Sequence, residues 1–524
     1  MAAAALMMTA WIGTPSELNT SPLVTVESGA VRGSANTALP KGGEFLGIPF
    51  AAQPVGPLRW RAPQRPPHWE GARDAKEWGP ACPQAPSPWL PEMMGIQKMR
   101  TDEACLYLNV WTPELHPQKP LPVFVWVHGG GNVEGSGQWP PLGEALAQHG
   151  IVVVSFNYRL GVFGFYASPE LDRESAQHVS GNYGHLDQMA ALAWVRRNIA
   201  AFGGDPTQVT IGGESSGALD VCDLMTSPLA AGLFRGAIME SGVCVDGVDP
   251  ALRELEAADA GLAKDSGAPA GSERLVALRA LPADRIFAAA AKDDALDFGP
   301  AVDGWVLPQQ PAVAFAKSEQ AKVAVLVGSN DAEVSIFVSP MVGGHSWWPK
   351  TAAAYRAWAQ KKFGPLAEQV LREYPAHTDA DVPLVFRTMY TDYDFGFGSW
   401  LLAKDASNVG QHAYLYHFTY LGQGPFAELG AFHSEEEMFL SRHYWATWIA
   451  RPGDAVLSRA IIRYWAQFVK TGNPNGAELP VWPEFGRSGE AQELGRRVGP
   501  EGDPRQEKWA VFQEYLNSRL EQLH

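Results

Sequence analysis

The 524-residue chain predicts an α/β protein with a mostly parallel central sheet, helices on both faces and large loop or helical insertions. Three observations carry that reading. Strand-like and helix-like stretches alternate through the middle of the chain, the signature of a parallel sheet covered by helices. Leu121–Val127 (LPVFVWV) is a short apolar run, as a strand buried on both faces should be, and it ends in His128-Gly129-Gly130-Gly131. A β-branched run at 209–211 leads into Gly213-Glu214-Ser215-Ser216-Gly217. There the glycines leave room for a sharp strand-to-helix turn that lifts a serine to its tip.

The elements follow in order. After Leu121–Val127, residues 151–156 read as a strand, 189–199 as a helix and 209–211 as the strand before the turn. Leu219, Cys222, Leu224 and Met225 then give a helix packed on a sheet. Further strands are expected at 237–239, 323–327 and 413–419. The Ala-rich stretch 251–292 is helix-like and reads as an insertion. Segments 454–470 and 507–523 close the chain as helices; in the second, Trp509, Phe512, Leu516 and Leu520 share a face. No Gly/Ser tract, charge block or internal repeat marks a linker, so residues 23–524 are expected to form one domain with insertions. Residues 1–22 are set apart as an N-terminal segment. Its apolar part, 2–12, is far too short to span a bilayer and resembles part of a signal-peptide core, although no Lys or Arg precedes Arg32. A secreted or periplasmic, soluble protein is the expectation, as a monomer or homodimer.

A net charge of −16 argues against nucleic acid and anionic membranes as partners. The four cysteines are too few for a disulfide-built scaffold. Cys82 and Cys105 bracket a proline-rich loop that a bridge would close, at about 3 kcal/mol by chain entropy. Cys222 and Cys244 read as buried thiols. No Cys/His set has zinc spacing and no His-Glu-x-x-His occurs, so neither metal nor cofactor is expected.

The chemistry follows from the turn. A serine is a poor nucleophile until a base takes its proton, and the base must be oriented by a third group. Glycines at the carboxyl end of a buried strand offer bare N–H groups where an oxyanion would develop. Downstream, 323–327 runs into Gly328-Ser329-Asn330-Asp331-Ala332-Glu333, which offers two acids, Asp331 and Glu333. His433, in Gly-Ala-Phe-His, follows a strand and a Gly/Pro-containing loop. His412, His417 and His443 compete with it, and spacing alone does not separate them.

Many ordered stretches resemble the type B carboxylesterases, the group that includes the cholinesterases. They span 26–485: Phe45-Leu46-Gly47-Ile48-Pro49-Phe50-Ala51, the EACLYLNVWTP run at 103–113, and Asn157-Tyr158-Arg159-Leu160-Gly161. Gly181-Asn182-Tyr183-Gly184, Phe202-Gly203-Gly204-Asp205-Pro206 and Thr471-Gly472-Asn473-Pro474-Asn475 continue the series. The resemblance implies an α/β-hydrolase fold and a serine carboxylic-ester hydrolase acting on a small-molecule ester. It makes Ser215 the nucleophile, Glu333 the acid and His433 the base, with oxyanion donors from the N–H groups of Gly130, Gly131 and Ser216. By the same resemblance Ser241 supports the acid, and Cys82 and Cys105 form the family's first disulfide. The usual second bridge has no counterpart, because Cys222 and Cys244 lie elsewhere.

Two departures bear on substrate choice. Asn132 stands where the family usually carries an aromatic residue, and Ser216 where alanine is common. Both are expected to make the substrate pocket more polar and to favour esters with polar substituents. Trp89 lies in the cysteine-closed loop where cholinesterases place a cation-binding tryptophan; the loop here is shorter, and a packing or lid role beside the substrate is expected instead. Activity should fall below about pH 6.5 as a free imidazole protonates. Amidases, lipases, thioesterases and detoxifying esterases for natural products share this triad. A non-catalytic, cholinesterase-like binding protein is the rival from another class, and such proteins typically lack a triad member.

Overall fold

The computed structural model describes residues 21–523, apart from 87–98, 270, 272, 293–297, 340–347, 423–426, 445–450, 496 and 503. In chain order the strands are β1 (Leu23–Val26), β2 (Gly29–Arg32), β3 (Gly43–Pro49), β4 (Ala72–Asp74), β5 (Tyr107–Thr112), β6 (Leu121–Val127) and β7 (Val152–Phe156). They continue as β8 (Gly204–Glu214), β9 (Gly236–Glu240), β10 (Ala324–Asn330), β11 (Ala413–Phe418), β12 (Ala491–Leu494) and β13 (Val498–Glu501). Ten of them form one twisted sheet in the order β13-β12-β11-β10-β9-β8-β6-β7-β5-β3, and β1, β2 and β4 form a small separate sheet. From β7 through β6, β8, β9, β10 and β11 to β12 every pair is parallel; only the two margins are antiparallel. This is the α/β-hydrolase architecture that the sequence predicts.

Alternation along the central strands explains the two-sided core. Val123, Val125 and Val127 of β6 enter one apolar cluster, with the helices Tyr183–Asn198 and Ser216–Thr226. Phe124 and Trp126 enter the other, with the helix Pro452–Thr471. A strand with both faces covered has no polar face, hence the unbroken apolar run. The 251–292 insertion folds as three short helices, Leu252–Asp265, Arg274–Ala280 and Ala283–Ala290. The helix expected at 189–199 begins earlier, at Tyr183: its first turn is buried against Phe165 and the helix Ser216–Thr226, so no apolar periodicity marks it.

Register gathers the chemistry. Val127 pairs with Gly213, Glu214 with Glu240, and Gly328 with Glu240. The carboxyl ends of β6, β8, β9 and β10 therefore lie side by side, and the segments that follow them (the glycine run, Ser215, Ser241 and Glu333) emerge at one edge of the sheet. Crevices at carboxyl ends of parallel strands are where such sheets bind ligands.

Cysteine pairing departs from expectation at one point. Cys82–Cys105 is a disulfide, closing the proline-rich loop. Cys222 and Cys244, expected as thiols, form a second disulfide with Cα atoms 5.5 Å apart. Cys222 lies on the helix after β8 and Cys244 just beyond β9; because β8 and β9 are parallel neighbours, segments distant from any familiar cysteine spacing become adjacent.

Candidate active site

Ser215 occupies a turn that only its flanking glycines permit. It has φ 57° and ψ −128°, a strained conformation for a residue with a side chain. A Cβ on Gly213 would lie 2.5 Å from the Gly217 carbonyl, and one on Gly217 would lie 2.2 Å from the Val127 oxygen. The Ser215 N–H donates to the Glu240 carbonyl at 2.8 Å, pinning the turn to the end of β9.

The glycine run passes directly alongside, since a Cβ on Gly129 would come within 3.1 Å of the Ser215 Cβ. Gly130 and Gly131 both have positive φ, 106° and 63°. Among the described residues the N–H groups of Gly130, Gly131 and Ser216 have no hydrogen-bond acceptor, so all three remain available to an incoming oxygen.

Of the candidate histidines, His433 is the one that meets Glu333. Its Nδ1 lies 2.7 Å from Glu333 Oε2, and both residues are buried. The other Glu333 oxygen accepts the Asn330 N–H at 2.6 Å. Asp331, the competing acid, is half exposed and faces His417 Nε2 at 3.3 Å, while His417 Nδ1 meets Glu501 at 2.7 Å. His412 sits at the surface against Glu484. An imidazole tied through Nδ1 to a buried carboxylate keeps a fixed tautomer and leaves Nε2 for proton exchange.

Three features of the site lie outside the expectations. First, His433 Nε2 is 3.1 Å from Glu214 Oε1, which also accepts the Ser434 hydroxyl at 2.6 Å. Burial disfavours the imidazolium, but Glu214 and then Glu333 outweigh it and hold His433 at about 9. Burial in turn pushes Glu214 up to about 7 against the pull of His433. Both carboxylates thus favour the protonated base above the free-imidazole range. Glu214 was visible as the residue before the serine, but no spacing rule aims it at the base.

Second, Ser241 does not touch Glu333 by any contact among the described residues. Its hydroxyl donates to Glu436 Oε1 at 2.9 Å, and Asn330 Nδ2 donates to Glu436 Oε2 at 2.5 Å. A hydrogen-bond chain therefore runs from Ser241 through Glu436 and Asn330 to Glu333.

Third, Asn132 does not line a substrate pocket with its amide. It is 3% exposed; Nδ2 donates to Asp220 Oδ1 at 3.0 Å and its N–H to Ser216 Oγ at 3.1 Å. The two expected polar substitutions bond inward, because α-helical spacing puts Asp220 one turn beyond Ser216, facing Asn132. Trp89 lies outside the described residues.

The carboxylesterase family model matches residues 20–508. The chain belongs to the carboxylesterase family. Like other members, it is a carboxylic ester hydrolase. It is 38% identical over 498 residues to a fumonisin B1 esterase of Sphingopyxis macrogoltabida, covering 90% of this chain and 86% of the relative. It is 34% identical over 510 residues to a para-nitrobenzyl esterase of Bacillus subtilis, covering 93% and 98%. A solved para-nitrobenzyl esterase structure superposes with a TM-score of 0.80 at 32% identity, covering 94% of this carboxylesterase and 99% of that chain.

Proposed function

We propose that this carboxylesterase hydrolyses a small-molecule ester through Ser215, His433 and Glu333, by way of an acyl-enzyme. The observation that carries the reading is the 2.7 Å contact of His433 with buried Glu333, at the same sheet edge as the strained Ser215 turn. Neutral His433 takes the Ser215 proton as Oγ adds to the ester carbonyl. The N–H groups of Gly130, Gly131 and Ser216 hold the oxyanion. His433 then gives its proton to the leaving alcohol as the acyl–alkoxy bond breaks. Water, deprotonated by the same imidazole, releases the acid and restores Ser215. Glu333 keeps the tautomer and stabilises the imidazolium throughout, and Ser241 acts on it through Glu436 and Asn330.

A second reading concerns the substrate. The greater identity to a fumonisin B1 esterase than to the para-nitrobenzyl esterase favours a specialised detoxifying or natural-product esterase over a general carboxylesterase. No helix among the described residues is long and apolar enough to cross a membrane. The two disulfides suit a secreted or periplasmic location.

The experiment is kcat/KM over an ester panel with Ser215→Ala as the blank: short and long acyl chains, a cationic alcohol, a bulky polycarboxylic ester, and fumonisin B1. Fast Ser215-dependent turnover of small neutral esters supports a general esterase. Weak rates on these with strong turnover of one bulky ester support the specialised reading. Turnover unaffected by Ser215→Ala would refute both.

A further inference from the structure

Behind the Ser215 turn lies a polar cluster that the proposed hydrolysis does not use. Asp220 and Asp223 are three residues apart on the helix Ser216–Thr226, so both project to one side, toward His185 in the first turn of Tyr183–Asn198. All three are fully buried. His185 Nε2 is 3.2 Å from Asp223 Oδ2 and 3.6 Å from Asp220 Oδ1. One donor atom from each lies within 4.8 Å of the others, and this is the one such set among the described residues.

Hydrogen bonding leaves the cluster with too many acceptors. Nε2 carries at most one proton yet faces two carboxylates, and 3.2 Å is long for a charge-assisted bond. Asp220 is served by Asn132 and by Gln188, whose Nε2 donates at 2.6 Å. Asp223 Oδ1 is buried without a partner, and so are Asn132 Oδ1, Gln188 Oε1 and His185 Nδ1. No Lys or Arg among the described residues pairs with either carboxylate. What is missing is positive charge.

We infer that His185, Asp220 and Asp223 form a structural site for a zinc-like divalent cation that ties the helix behind Ser215 to the helix Tyr183–Asn198. Zinc bonds of about 2.0–2.2 Å to nitrogen and oxygen put tetrahedral ligands about 3.3–3.6 Å apart, close to the separations of His185 from the two carboxylates. The imidazole ligand disfavours calcium and magnesium, which prefer all-oxygen shells. The unpartnered oxygens of Asn132 and Gln188, on side chains already bonded to Asp220, are candidates to complete the shell. Because the site is sealed, the ion enters with folding, and its binding energy is folding energy. The inference stands independently of the proposed triad.

The test uses the untagged full-length chain, produced with zinc in the medium and refolded with and without chelator. Metal content is read by mass spectrometry and the midpoint by thermal unfolding. The wild-type chain should hold about one zinc, falling at least about tenfold in Asp223→Asn and His185→Leu. Chelator should lower the wild-type midpoint, added Zn²⁺ should restore it, and Asp223→Asn should respond to neither. A wild-type chain with less than about a tenth of an equivalent, both as isolated and after refolding with Zn²⁺, overturns the inference. So does full zinc content in the variants, which would put the ion elsewhere. If His185→Leu fails to fold, the wild-type content and Asp223→Asn decide alone. A rise in midpoint for Asp223→Asn with no zinc in the wild type would mean that protons alone neutralise the cluster.

Discussion

Replacing Glu214 by glutamine should move the acid limb of kcat/KM to lower pH. The base must be neutral to accept the serine proton, so activity is lost as pH falls through the His433 pKa. That pKa stands at about 9, against 6.5 for a free imidazole, a difference of about 3 kcal/mol in favour of the charged form. Glu214 Oε1 lies 3.1 Å from Nε2. A pair of unit charges at that distance attracts by about 5 kcal/mol at an effective dielectric constant near 20, enough to offset burial and produce the elevation. Glu333 remains in Glu214→Gln and still favours the imidazolium, so the limb should fall from about 9 toward the free-imidazole range. Glutamine keeps an oxygen for the Ser434 hydroxyl, so the local hydrogen bond survives. The assay is kcat/KM for a p-nitrophenyl ester from pH 5 to 10. The variant should gain on the wild type near pH 7. It should lose to it above pH 9, where the imidazolium forming in the transition state misses its partner. Glu214 and His433 titrate as a pair, so the limb is read as the pair's. A wild-type limb at or below 6.5, or one that Glu214→Gln leaves in place, would refute the reasoning.

Ser215→Ala should cut kcat by about 10⁴–10⁶ with the fold intact, measured by burst-free turnover and circular dichroism. Asn132→Phe strips a donor from buried Asp220 and should cost about 1–3 kcal/mol in stability while lowering kcat/KM on all esters; improved turnover of simple apolar esters would show that the position lines the acyl pocket after all. Removing the Cys222–Cys244 bridge with paired alanines should cost about 3 kcal/mol in denaturant unfolding, for a closed loop of this length. Asp187→Ala leaves Arg159, now bonded at 2.7 and 2.8 Å, as an uncompensated buried charge. It should destabilise by about 3–5 kcal/mol, and an unchanged unfolding midpoint would count against that ion pair.

The sequence by itself determined the sheet's central strands, the elbow at Ser215 and the glycine run. Each of these is local: an apolar run needs two covered faces, and Gly213 and Gly217 are required by backbone contacts on either side of one turn. It also placed the family, because ordered motifs from 26 to 485 leave little freedom. The marginal strands β3, β5, β12 and β13 were not legible: GEFLGIP, YLNVWT, AQEL and VGPE each break their apolar residues with polar, glycine or proline positions, so none shows an unbroken apolar run. Choosing Glu333 over Asp331 needed either the family's pattern or the fold, since both acids follow the same strand and only the turn after β10 decides which faces His433. Glu214 against Nε2, Ser241 acting through Glu436, the Cys222–Cys244 bridge and the His185–Asp220–Asp223 cluster were decided by tertiary structure alone. Each joins residues from different elements: the parallel register of β8, β9, β10 and β11 brings the segments that follow them together, and the packing of Tyr183–Asn198 against Ser216–Thr226 brings His185 to the two aspartates.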